Sequence, residues 1–246
     1  MKVEIWSDVV CTWCYIGKRN LEAALAAFEH GDEVDAVWRS FELDPGAPAV
    51  RDGDYAGRLA SKYRVAVTEA RDMIDRMTSA GAKVGLELCF DRARPGNTFD
   101  AHRLLHLAAE HSVQDDLKER LLAATFTQGA AIGDRLTLVR LAGEAGLEAG
   151  EAEDVLATDR YADEVRADER RAFAMGITAV PFYVVDDTYG VPGAQPPEVL
   201  IEVLQRARDD ARTRPGARQS DDAFHGVHGL HGVAADSNGC QGDVCD

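Results

Sequence analysis

Residues 7–25, SDVVCTWCYIGKRNLEAAL, place two of the chain's five cysteines three residues apart. Before them runs KVEIW (2–6), a β-branched and aromatic segment that reads as a strand. Behind them Ile16, Leu21, Ala24, Leu25 and Phe28 recur at helical spacing, which predicts a helix from about 12 to 30. Cys11 therefore falls where strand gives way to helix. Backbone N–H groups and the positive end of the helix dipole stabilise a thiolate at such a junction, and can lower its pKa from about 8.5 to ~3.5–7.5. Cys14 lies one turn on and faces the same side, close enough to resolve a mixed disulfide. On this reading the lower-pKa thiol attacks and the more buried one releases the substrate. The same spacing also serves as half a zinc site, completed by Cys240, Cys245 or tail histidines, or as a purely structural pair. Zinc knuckles normally sit in Gly-containing turns rather than at the head of an amphipathic helix, so the reading favours redox chemistry.

Gly31 and Asp32 stop the helix, and VDAVWRSFEL (34–43) reads as a second strand. Strand, helix and strand in some forty residues predict a right-handed crossover and a parallel pair. DPGAP (44–48) breaks the pattern. Residues 49–172 then read as almost wholly helical, with segments near 54–63, 68–81, 98–111, 113–128, 134–145 and 150–172. Thr68 and Asn97-Thr98 read as N-caps, Gly146 as a C-cap, and AKVGLELCF (82–90) as a loop. Strand character returns at AVPFYVVDD (179–187) and around 188–194, before the helix PPEVLIEVLQRARDDA (196–211). The expected organisation is an α/β domain from 1–48 and 173–212, an inserted helical domain at 49–172, and a flexible tail at 213–246.

The chain carries 27 Lys and Arg against 43 Asp and Glu, a formal charge of −16. That field repels phosphate backbones and anionic headgroups, so neither nucleic acid nor membrane is an expected partner. No leader and no long apolar window are visible, and a cytoplasmic setting is expected. Five cysteines in a reducing compartment point to catalysis, redox cycling or metal rather than a disulfide scaffold.

Five segments carry a family resemblance: SDVVCTWCYIGKRNLE (7–22), WRSFELDP (38–45), NTFDAHRLLHLA (97–108), GITAVPFYVV (176–185) and GAQPPEVL (193–200). Together they resemble thioredoxin-fold oxidoreductases of the DsbA type, in particular the FrnE-like branch. The resemblance implies a thioredoxin-like α/β fold with a large all-helical insertion. It also implies a cis Val180–Pro181 bond beside the dithiol, whose exposed backbone pairs with an extended substrate while Cys11 attacks. Thr12 and Trp13 stand in the variable positions that tune thiolate stability in such families, which more usually have Pro where this chain has Thr12. Trp13 also offers an apolar contact to substrate. Related proteins of this architecture include hydroxychromene carboxylate isomerases and kappa-class glutathione transferases, which typically have Ser at the position of Cys11. The second cysteine points away from them.

The FrnE-like branch tends to end with a second cysteine pair, which Cys240 and Cys245 match in kind; such a pair would exchange electrons with the first. His225, His228 and His231 could ligate metal, although a fortuitously His-rich end is the favoured reading. Asn97 and Thr98 are read as caps, Arg103 and His106 as ordinary helix-surface residues, and Cys89 as a buried small hydrophobe. The expected activity is thiol–disulfide exchange by Cys11 and Cys14 on protein or small thiol substrates. It needs no metal and no organic cofactor, with glutathione a candidate redox partner, in a monomer or homodimer. A glutathione-dependent small-molecule isomerase or transferase, and a metal-binding stress protein, are the alternatives.

Overall fold

The computed structural model describes residues 1–51 and 54–213. The 214–246 segment, with Cys240, Cys245 and the three tail histidines, lies outside them. Strand β1 (Lys2–Ser7) leads into helix α1 (Thr12–Ala27), which returns to β2 (Asp35–Ser40). Seven helices follow: α2 (Tyr55–Tyr63), α3 (Val67–Lys83), α4 (Phe99–Glu110), α5 (Gln114–Ala123), α6 (Arg135–Glu144), α7 (Ala149–Ala157) and α8 (Ala162–Ala174). The chain then forms β3 (Phe182–Val185), β4 (Tyr189–Pro192) and α9 (Pro197–Thr213). The sheet order is β2-β1-β3-β4, with β1 parallel to β2 and antiparallel to β3, and β3 antiparallel to β4. This is the α/β sheet with a helical insertion that the resemblance implies.

The period-two pattern of β1 sorts its side chains between two layers. Val3 and Ile5 face α1 and α9, packing with Leu21, Phe28, Tyr183 and Leu204. Trp6 faces the other way, against Ala172 of α8, Ile177 and Val184. The helices α4–α7 enclose a core of their own, rich in Leu and Ala, into which Val9 inserts from the loop after β1. Tyr15 and Ile16 of α1 meet a further cluster with Met77, Leu88, Leu122 and Phe126. The start of α1 is thus gripped between sheet and insertion.

Glu4 shares the Trp6 face and is only 2 % exposed. Burial would raise its pKa, but hydrogen bonds from Arg171 and Arg39 prevail and hold it at about 2. Because the folded value lies below the 4.5 of an ordinary glutamate, its stabilisation is complete above that pH and is lost as pH falls toward 2. The shift corresponds to roughly 3 kcal/mol. Urea unfolding between pH 5 and 2 is expected to show this loss, and Glu4→Gln, already weakened at neutral pH, should show a shallower acid limb. An identical pH slope in the variant would contradict this assignment.

Several expected boundaries shift. The segment expected as one helix over 150–172 is two helices. Tyr161 takes a left-handed conformation (φ 64°), and Arg103 donates to the carbonyls of Val155, Thr158 and Arg160, ending α7 from outside. Helix α3 begins at Val67 after the N-cap Ala66, so Thr68 is not its cap. Gly146 does close α6 with φ 100°.

Candidate active site

The loop between β1 and α1 turns so that Cys11 N–H donates to the Asp8 carbonyl (3.3 Å). Cys11 is then the N-cap, extended at φ −96° and ψ 112°, without a side-chain capping bond. The Cys14 and Tyr15 N–H groups donate to its carbonyl at 3.0 and 3.3 Å. Cys11 is 7 % exposed and Cys14 is completely enclosed, so only the first can meet a substrate. The Cys11 thiol lies 3.5 Å from the Val180 carbonyl, and the Val180–Pro181 peptide bond is cis. Val180 is half-buried and Pro181 buried; Trp13, also half-buried, packs at the margin of the Tyr15–Phe126 cluster. Cys11, Cys14, Val180 and Pro181 therefore converge at one place, with Trp13 beside them on α1.

Gly17 makes this convergence possible. A Cβ there would overlap the Tyr183 hydroxyl and approach Pro181 Cγ to 3.0 Å. Gly17→Ala is expected to destabilise the protein by about 1–3 kcal/mol, as overpacking does. Adding Tyr183→Phe should restore part of it, because the hydroxyl is the first atom met. A denaturant double-mutant cycle with no coupling between the two would contradict this account.

Beneath the sulfurs lies a buried polar group that the sequence reading did not assemble. The fully enclosed Asp8 carboxylate accepts from the Leu43 N–H (2.8 Å) and pairs with His102 Nε2 (3.3 Å), whose Nδ1 has no hydrogen-bond partner. Burial opposes the Asp8 charge, but His102, the Leu43 N–H and Lys118 together lower its pKa. Lys118 of α5, also fully buried, donates to the Ser7 carbonyl at 3.3 Å. Burial pulls Lys118 down to about 8, against the opposing pull of Cys14, Asp8 and Cys11.

The two thiols titrate as a pair. Hydrogen bonding to the Cys14 sulfur, followed by burial, pushes Cys11 well above the ordinary thiol range. Burial also opposes a Cys14 thiolate, but the Cys11 hydrogen bond, Lys118, the Ser7 hydroxyl and the Asp8 N–H outweigh it and lower Cys14. The Lys118 ammonium reaches the pair from the Cys14 side, adding a second source of positive potential to that of the helix start.

The NTFDAHRLLHLA segment also departs from its expected role. Asn97 caps as expected, its Oδ1 accepting from Phe99 N–H (3.0 Å). Arg103 is not on the surface: it is 3 % exposed and holds the α7 end. His106 is largely buried, 3.1 Å from Ser40 Oγ and 3.3 Å from Asp168 Oδ2. Helix α4 is buried on nearly all sides, so its polar residues are internal struts. Cys89 is only half-buried, and Arg92 donates to its sulfur at 2.9 Å. Among the described residues no group of three or more His, Cys, Asp or Glu is placed to hold a metal ion, and no helix is long and apolar enough to cross a membrane.

Residues 2–205 match the family model of the DSBA-like thioredoxin domain. The chain is 30 % identical over 204 residues to the uncharacterized protein YwbO of Bacillus subtilis (strain 168), covering 82 % of this chain and 94 % of that one. A probable DsbA oxidoreductase from Streptomyces coelicolor superposes with a TM-score of 0.83 at 43 % identity, over 93 % of this chain and 97 % of that chain. A 2-hydroxychromene-2-carboxylate isomerase shares the fold alone, with a TM-score of 0.64 at 15 % identity, over 87 % of this chain and all of that chain.

Proposed function

Starting from a chain that belongs to the DSBA-like thioredoxin domain family, we propose that it is a thiol–disulfide oxidoreductase in which Cys11 attacks and Cys14 resolves. One observation carries the reading: two enclosed thiols lie one turn apart at the start of α1, and only Cys11 touches both the surface and the cis-proline loop. A conjugating or isomerising enzyme has no use for a second, charge-stabilised thiol behind the first.

In the reducing direction the Cys11 proton passes to Cys14 as the Cys11 sulfur attacks a substrate disulfide. A Cys11–substrate bond forms, the substrate S–S bond breaks, and the first substrate sulfur leaves as a thiolate that takes up a proton. Cys14 then loses its proton again, favoured by the adjacent Lys118 ammonium. Its sulfur attacks Cys11, closing the Cys11–Cys14 disulfide and releasing the second substrate thiolate. Two electrons move from the dithiol to the substrate, and the reverse sequence oxidises a substrate dithiol. The Val180 backbone beside Cys11 aligns an extended substrate segment.

The test mixes reduced protein with a peptide disulfide, quenches in acid and weighs the products. A transient peptide adduct on Cys11, followed by a Cys11–Cys14 disulfide and two free peptide thiols, is the expected sequence. Intact peptide disulfide beside unmodified protein would overturn the reading.

A further inference from the structure

Residues Val50, Arg51, Tyr55, Arg58, Ala93 and Arg94 line a groove of about 520 Å³, with Arg92, Asp54 and Asp91 also on its walls. Among the described residues, four guanidiniums against two carboxylates make it a positive site on a chain of net charge −16. It adjoins the start of α1: Tyr55 forms part of the wall and packs in the same apolar cluster as Trp13, Tyr15 and Ile16.

The arginines are differently committed. Arg51 pairs with Asp44, and Arg92 donates to Cys89 Sγ. Arg58 donates to the Ala93 carbonyl at 3.3 Å and lies over the Tyr55 ring. Arg94 is exposed and has no ion pair among the described residues. Asp54 spends one carboxylate oxygen on the N–H of Gly57, capping α2. Burial presses Arg58 below its ordinary pKa, with Tyr55 opposing it and the Arg51 charge adding to it. A cationic groove with an aromatic wall and bidentate guanidinium forks matches carboxylates on an extended chain.

We propose that this groove is a substrate subsite that binds the carboxylates of an acidic peptide segment flanking the disulfide to be exchanged. The proposal rests on the thiol–disulfide reading for its context, while the binding itself needs no thiol. It also opposes what overall charge dictates, since a chain of −16 attracts basic peptides at long range. Selection of an acidic partner must therefore come from a local site.

The test uses the reduced full-length chain and two fluorescein-labelled hexapeptides without cysteine, one rich in Glu and Asp, the other in Lys. Fluorescence anisotropy should show the acidic peptide binding at least tenfold more tightly than the basic one, and weakening with added salt. Arg94→Glu, at an exposed residue whose replacement leaves no internal bond unmade, should weaken acidic-peptide binding about tenfold. Arg58→Gln with Arg94→Gln should remove the preference. Equal or tighter binding of the Lys peptide, or an acidic-peptide affinity unchanged in both variants, would overturn the proposal. Failure of the thiol chemistry would leave this binding result intact, so the two readings fail separately.

Discussion

Cys14→Ser is expected to convert a fleeting Cys11–substrate disulfide into the stable end product of the reaction. Positioned intramolecular groups reach effective molarities of about 10⁵–10⁸ M in favourable cases, so losing the resolving sulfur should slow substrate release by roughly a thousandfold or more. The serine hydroxyl fills a similar space but is not an effective nucleophile toward a disulfide. Without the Cys14 sulfur the chief influence raising the Cys11 pKa is gone, so Cys11 loses its proton to solvent and the first attack survives the substitution. Cys11→Ser should abolish adduct and turnover together, because the remaining thiol is completely enclosed. Intact-mass measurement after mixing with a peptide disulfide separates the two variants. Release from Cys14→Ser at the wild-type rate would show that some other group resolves the adduct.

Lys118→Met is expected to move the redox equilibrium strongly while leaving the fold as stable or more so. The ammonium is the cation that favours a Cys14 thiolate, and an opposite charge nearby is worth about one to three pKa units. Its removal should raise the pair's first apparent pKa by roughly one to two units and lower the midpoint potential by about 30–60 mV. The direction follows from the reduced state being the one that carries the thiolate. Stability responds with the opposite sign. Lys118 titrates at about 8 in the folded chain against 10.5 for an ordinary lysine, so the stability cost of its burial is fully present below pH 8 and is relieved as pH rises toward 10.5. That cost is on the order of 3 kcal/mol, which methionine does not incur. Iodoacetamide alkylation against pH, together with urea unfolding at pH 7, reads both effects. An unchanged alkylation profile would show that Lys118 is only structural.

The sequence was most legible where local chemistry and fold agree. Strand β1, the C-x-x-C junction, helix α1 and Gly146 each carry a short-range signal: β-branched alternation, helical apolar spacing, a left-handed glycine. The meeting of Cys11 with Val180, some 170 residues later, follows from no spacing, and only the family resemblance anticipated it. Lys118 was invisible for a different reason. DDLKERLL reads as a solvated helix, yet Lys118, Leu121, Leu122 and Thr125 form one buried face. A lysine within an apolar stripe at i+3 and i+4 was the available signal. Arg103 and His106 were misjudged because periodicity assigns polar residues to solvent. Helix α4 is enclosed by sheet and insertion together, and each of those polar groups is held by a partner distant in sequence: Ser40 and Asp168 for His106, the α7 carbonyls for Arg103. The break between α7 and α8 was hidden for the same reason, since Arg103 imposes it across more than fifty residues.

The central claim, a reversible dithiol at Cys11 and Cys14, is tested most directly by equilibration in graded reduced and oxidised glutathione. Differential alkylation and peptide mass spectrometry then read each cysteine separately. The account expects one cooperative two-electron transition linking Cys11 to Cys14, with Cys89 remaining a thiol throughout. A persistent glutathione adduct on Cys11, with Cys14 never oxidised, would contradict it.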